Sequence, residues 1–290
     1  MDKTSTKKYK VYLLLFVMVK PRYSFSSRHN RRIENIRKQK KKYPSIAEKI
    51  VEDADIVLEV LDARFIDETR NKELEKKIKE KKKKLIYILN KSDLAKKKNF
   101  NKTPKVFVSC KDRNGIKKLR DLIKQEARKV VRKDNEKVAV GVVGYPNTGK
   151  SSLINLLIGK SSAGTGSDAG FTKNIQKLKL SEDVVLLDSP GVIPESEYSA
   201  VDKEKISKQT KLGGRSYSQV KEPEMVIDSL VKEFPNVLED FYGVKEKGNS
   251  EILLEEVGRK KGFMKKGGIV DEDKTARMIL KDWQTGKIKI

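Results

Sequence analysis

A mostly parallel, doubly wound α/β sheet followed by a helical region is the fold class predicted by this 290-residue sequence. Two patterns carry that expectation. Short, β-branched apolar runs alternate with helical stretches through the first two thirds of the chain, and such runs cease beyond Glu195. Parallel strands are buried on both faces and so read as continuous apolar runs, and the helices between them are the crossovers that parallel pairing demands.

Taken in order, Arg28 to Lys42 is dense in Arg and Lys and reads as a solvated basic arm. After Pro44, Ile46 to Val51 reads as a helix and Ile56 to Leu61 as the first buried strand. Further strands are expected at Leu85 to Leu89, Val106 to Val108, Val138 to Val143 and Val184 to Leu187. Helices are expected between them at Arg70 to Lys83, Ile116 to Val131 and Lys150 to Ile158. Later helices are read at Glu222 to Phe234, Ser250 to Val257 and Asp271 to Trp283. The expected organisation is a basic extension over 1–44, an α/β domain over 45–198 and a helical domain over 199–290.

Composition narrows the partners. Sixty-six Lys and Arg against 41 Asp and Glu leave a net charge of +25, an electrostatic footprint for polyanions, with nucleic acid ahead of an acidic membrane surface. The single cysteine, Cys110, forms no intramolecular disulfide, and a reducing, cytoplasmic setting is the expectation. The apolar run Val11 to Val19 follows Lys7, Lys8 and Lys10 like the front of a secretory signal, but it falls far short of the roughly 20 residues that span a bilayer. No small-residue cleavage site follows it before Pro21, so a short buried strand, or an extension ahead of a start at Met18, is the plainer reading. No stable membrane association is expected.

The chemistry lies at the strand ends. Gly144-Tyr145-Pro146-Asn147-Thr148-Gly149-Lys150-Ser151 fits G-x-x-x-x-G-K-[ST] and stands between an expected strand and an expected helix, the context this phosphate loop requires. Backbone N–H groups from Asn147 to Ser152 would face phosphates at the helix N-terminus. Lys150 would neutralise the β and γ oxygens, and Ser151 would offer Mg²⁺ a hard oxygen ligand. Asn90-Lys91-Ser92-Asp93, directly after the second strand, resembles the N-K-x-D element of GTPases. The Asp93 carboxylate can accept from guanine N1–H and the exocyclic amine, a pair adenine lacks, while the stem of Lys91 can lie over the base. Ser109-Cys110-Lys111 resembles the S-A-K element whose backbone N–H meets guanine O6, with Cys110 in place of alanine.

Asp188-Ser189-Pro190-Gly191 matches D-x-x-G: Asp188 would hold Mg²⁺ through water and the Gly191 N–H would meet the γ-phosphate. Thr172, between the phosphate loop and Asp188, is the candidate switch threonine completing the metal shell. Lys150, Thr172 and Gly191 are the candidate catalytic groups.

These elements run in an unusual order, with N-K-x-D and S-A-K ahead of the phosphate loop. That order is similar to the circularly permuted GTPases of the YlqF/YawG class. Further marks of the resemblance are Asp62-Ala63-Arg64 after the first strand and the run from Gly267 through Met278 to Lys287, so that it covers about residues 45–290. The resemblance implies a GTPase assisting assembly of the large ribosomal subunit, with GTP and GDP, ribosomal RNA or the large-subunit particle as partners and Mg²⁺ as cofactor. A nucleotide-gated RNA-binding scaffold with incidental hydrolysis is the alternative. Val192 and Ile193 follow D-x-x-G where a water-orienting Gln often stands, so intrinsic hydrolysis should be slow. Asn147 stands where potassium-activated relatives place a monovalent-cation ligand, which makes K⁺ a candidate second ion.

Overall fold

The computed structural model describes residues 45–95, 100–131, 136–159, 175–194, 197, 202–245 and 248–290. The basic arm, the early apolar run and Thr172 lie outside them. The described residues all belong to one compact unit.

Six strands make one sheet in the order β3-β2-β1-β4-β6-β5. They are β1 (Ile56–Asp62), β2 (Lys84–Asn90), β3 (Lys105–Phe107), β4 (Val138–Gly144), β5 (Gln176–Lys179) and β6 (Val184–Asp188). All pairs are parallel except β5 with β6. The α/β class and the five apolar strands expected from the sequence are thus present. β5 was not foreseen, because its Gln-Lys-Leu-Lys sequence is that of a charged edge, only Leu178 turning partly inward.

Helices cover both faces of the sheet. The first, α1, covers 45–53 and packs Ala47, Ile50 and Val51 against Val57 and Val143, beside Leu74 and Ile78 of α3 (Lys72–Glu80). On the opposite face α4 (Ile116–Ala127) and α5 (Lys150–Ile158) bury Leu119, Ile123, Leu153 and Ile154 against Leu58, Val60, Val140 and Val142. The helix expected over Arg70 to Lys83 is present as α3, shorter at both ends, and a separate four-residue α2 (Ile66–Thr69), not expected from the sequence, precedes it. Arg70 is extended between them, and Asn71 starts α3 by accepting from the Leu74 N–H.

Beyond Lys203 the described chain is helical: α6 (Lys203–Lys211), α7 (Pro223–Glu233), α8 (Val237–Tyr242), α9 (Ser250–Lys261) and α10 (Glu272–Gln284). They share a core of Leu230, Leu253, Ile279 and Leu280 around Trp283, the largest fully buried side chain. Two buried residues of the α/β part enter that core, Phe65, after β1, and Tyr145, in the loop after β4, and the partly buried Ile193 packs against it. Phe65 lies 6.1 Å from the Trp283 ring and 6.0 Å from Phe234. The helical bundle is thereby anchored on the loops after β1 and β4.

Candidate functional site

Four of the five sequence elements meet along the carboxyl edge of the sheet, where an open α/β sheet places its ligands. Asn90 ends β2, Gly144 ends β4, Asp188 ends β6 and Ser109 lies just past β3. The fifth, Thr172, lies outside the described residues.

In the phosphate loop Gly149 takes φ +93° and caps α5, and a Cβ there would stand 2.3 Å from the Asn90 amide nitrogen. Glycine therefore allows both the turn and the approach of Asn90. Lys150 is buried, and its ammonium donates to the carbonyls of Gly144 at 3.1 Å and Tyr145 at 3.0 Å. Burial pushes its pKa down to about 8, opposed by the Asp188 carboxylate. The buried Thr148 hydroxyl donates to the Tyr145 carbonyl at 2.9 Å, while Ser151 and Ser152 stand half-buried in the first turn of α5.

Asp188 is fully buried, and neither carboxylate oxygen receives a hydrogen bond, the Ser189 N–H approaching without closing one. Burial pushes this carboxyl up to about 6, with the Lys150 ammonium pulling it down. Among the described residues no cluster of three or more His, Cys, Asp or Glu side chains could hold a metal. Mg²⁺ needs none, since it is usually held by one or two carboxylates, waters and substrate phosphates. An orphaned carboxylate beside a phosphate loop fits such an ion.

Gly191 presses on the phosphate loop: a Cβ there would stand 2.6 Å from Pro146 Cα. The next residue, Val192, is buried and donates its N–H to the Gly144 carbonyl at 3.1 Å. Ile193 packs on the helical core.

On the base side, Asn90 is buried between three loops. Its amide nitrogen donates to the Thr148 carbonyl at 2.8 Å and its oxygen accepts from the Cys110 N–H at 3.3 Å. The Ser92 N–H donates to the Val108 carbonyl, which ties the N-K-S-D turn to the S-C-K turn. Asp93 is half-buried and Lys111 exposed, while the Ser109 hydroxyl pairs with Asp112. Burial pushes the Cys110 thiol up to about 11, so it is a small packing residue rather than a nucleophile.

Lys91 takes φ +57°, and its ammonium pairs with Asp62 at 2.8 Å. Burial lowers the Lys91 pKa, and Asp62 raises it. Arg64 grips the same carboxylate with two bonds, Nε at 3.0 Å and Nη2 at 2.8 Å. Burial works against the Asp62 anion, but Lys91 and Arg64 more than reverse that and hold its carboxyl below the usual range. This role of Asp62 was not read from the sequence. The usable signal is its place at the end of β1, in register with Asn90. Asn147, at φ +58°, donates to the Gly213 carbonyl at 2.8 Å, a bond across 66 residues that no local pattern announces.

A family model described as a 50S ribosome-binding GTPase matches residues 139–254. An uncharacterized GTP-binding protein of Methanocaldococcus jannaschii is 43% identical over 257 residues, covering 86% of this chain and 67% of that protein. Nucleolar GTP-binding protein 2 of Neurospora crassa is 33% identical over 253 residues, and this chain spans only 40% of its length. Among solved structures, GDP-bound YlqF from T. maritima superposes with a TM-score of 0.57 at 23% identity, over 83% of this chain and 94% of that one, a likeness of fold. With its elements in permuted order around this sheet, the chain belongs to the circularly permuted GTPases of the YlqF/YawG class.

Proposed function

We propose that the chain is a Mg²⁺-dependent, slowly hydrolysing GTP switch that binds ribosomal RNA or a pre-ribosomal particle and assists assembly of the large ribosomal subunit. The observation that carries the reading is Asn90, which joins the phosphate loop, the N-K-S-D turn and the S-C-K turn into one nucleotide-shaped site. The matched family model and the nucleolar relative support the ribosomal setting, and the +25 charge supports an RNA partner, since Lys and Arg release the counterions of a phosphate backbone.

In the proposed mechanism Asp93 reads the guanine edge, Lys91 covers the base and the Cys110 backbone N–H faces O6. The N–H groups from Asn147 to Ser152 cradle the phosphates, and Lys150 leaves its two loop carbonyls to charge-pair with them. Ser151, Asp188 and Thr172 would hold Mg²⁺, which when bound neutralises charge developing on the phosphates. Gly191 offers its N–H to the γ-phosphate, and because it rests on Pro146 the presence of that phosphate is passed to the chain leading to α6. Val192 has no group with which to orient water, which supports a low intrinsic rate. K⁺ at Asn147 is part of the proposal.

Among the described residues no helix is long and apolar enough to cross a membrane. The proposed location is the cytoplasm. The nucleolar name of the Neurospora relative points to the other compartment, and fractionation of tagged chain decides between them.

The test is GTP turnover with Mg²⁺ in K⁺ and then Na⁺, with and without large ribosomal subunits, against Lys150→Ala. Stimulation by the particle is expected, and selective loss in Na⁺ is expected if Asn147 binds K⁺. Tight GTP binding without turnover under any condition would replace the switch by a nucleotide-gated scaffold.

A further inference from the structure

The turn that reads guanine in the proposed site is held by the helical bundle at two separate points. The first is a chain of charge: Lys91 Nζ meets Asp62 Oδ2 at 2.8 Å, Arg64 grips Asp62 with two bonds, and Arg64 Nη1 donates to the Trp283 carbonyl at 3.2 Å near the C-terminal end of α10. Arg64 and Asp62 side chains are 2% and 1% exposed, so this is a dry pair in which the guanidinium has no water to replace a lost partner. A helix C-terminus carries partial negative charge, which suits the guanidinium it receives. The next residue, Phe65, sits against Trp283 and Phe234, fixing the backbone from which Arg64 reaches out.

The second hold is the segment after α10. Ile290 donates its N–H to the Leu94 carbonyl at 3.2 Å, one residue past Asp93. Gly286, at φ +75°, lies so near that a Cβ would stand 2.5 Å from Leu94 Cδ1, and Ile288 is buried in the helical core. Lys91 and Leu94 therefore flank the base-reading Asp93, and each is positioned by a residue of 283–290. The phosphate loop meets the bundle elsewhere, through Tyr145 in its core and the Asn147 bond to the Gly213 carbonyl.

We propose that Asp62 and Arg64 are positioning residues for guanine recognition, and that the segment Gly286–Ile290 braces the same turn, so that the bundle sets affinity for the base. The inference rests on the guanine reading of Asn90 to Asp93. An open Lys91 at a left-handed backbone position would sweep many rotamers, and ordering it on binding would cost entropy that the Asp62 pair removes in advance. GDP and GTP share the base, so both feel the brace equally. Whatever pulls on α10 or the segment beyond it loosens both nucleotides alike.

The experiment measures affinity for GDP and GTP by fluorescent-nucleotide titration, and for pyrophosphate by competition, in Arg64→Ala, Arg64→Lys and Gly286→Ala. Arg64→Ala should raise both nucleotide Kd values by about tenfold, the worth of one charged hydrogen bond, and leave pyrophosphate unchanged. Arg64→Lys should recover part of the loss, since it keeps the charge but not the fork. Gly286→Ala, which touches neither charge, should weaken GDP and GTP in the same ratio by displacing Leu94. Folded variants that bind GDP as the parent does, or that lose pyrophosphate along with GDP, would overturn the proposal. Asp93→Asn is the separate control: if it leaves GDP binding intact, the guanine reading itself fails, whereas loss there with normal binding in the other variants defeats only the brace.

Discussion

The Asn90 side chain and the Thr148 carbonyl, 58 residues apart in sequence, are joined by a 2.8 Å hydrogen bond inside the protein. It ties the N-K-S-D turn to the phosphate loop and, since the same carboxamide also accepts from the Cys110 N–H, to the S-C-K turn.

Asn90→Ala should therefore damage both halves at once. Two backbone groups, one buried and one partly buried, lose their partner, costing about 2 to 6 kcal/mol of stability if each is worth the usual desolvation penalty. Chemical denaturation reads that loss. Titration should show GDP and pyrophosphate binding both weakened, a pattern distinct from that of the Arg64 variants.

Gly191→Ala addresses the other contact on the loop. The added methyl would meet the Pro146 backbone, its Cα at 2.6 Å, so the loop and the D-S-P-G turn must part. The expected result is loss of GTP turnover by about a hundredfold, the scale of a misplaced reacting group, with GDP binding reduced far less. Single-turnover hydrolysis measures it.

Glu59 makes a pH-dependent prediction. This β1 residue is buried, its Oε1 accepts from the Asn71 N–H at 2.8 Å, and its Oε2 has no hydrogen bond. Burial pushes its carboxyl up to about 8, aided by Glu75 and opposed by the Asn71 bond and by Arg70 and Lys102. With the folded pKa above the unfolded one, its contribution is whole below about 4.5 and is lost as pH rises through about 8. Glu59→Gln keeps the Asn71 bond and removes the titration. The variant should melt several degrees higher than the parent at pH 8 and level with it near pH 4, by thermal scans across that range.

Trp283→Ala tests the bundle. The indole is fully buried between Phe65 and Phe234, and its N–H donates to the Lys211 carbonyl. Truncation should cost about 3 to 5 kcal/mol in a urea titration. Because the indole packs on Phe65, nucleotide affinity should fall with it.

Legibility in the sequence followed burial. The five strands buried on the sheet wrote themselves as apolar runs, whereas β5 at the edge and α6, which buries Gln209, Thr210 and Lys211, carry no apolar pattern to read. The break at Arg70 is set by a distant cause, the Glu59 carboxylate taking the Asn71 N–H. The phosphate loop and the N-K-S-D turn were visible because their chemistry demands contiguous residues. The partners that hold them, Asp62 for Lys91 and Gly213 for Asn147, lie 29 and 66 residues away and meet them only through strand register and helix packing. Val192 and Ile193 were read as unable to orient water, and the fold adds a reason: Val192 lies in the core beneath α1 and α3.

The strand order also dictates a history for each newly made molecule. β1, β2 and β3 are neighbours in both sequence and sheet, and by Ala127 they have their helix α4, so half of the sheet can assemble before β4 is synthesised. Until then the flank of β1 from Ile56 to Val60, which later pairs with β4, is an open parallel edge, apolar but for Glu59. The nascent chain thus carries a sticky border for the time taken to make β4, and the arrival of that strand, which ends in the phosphate loop, closes it.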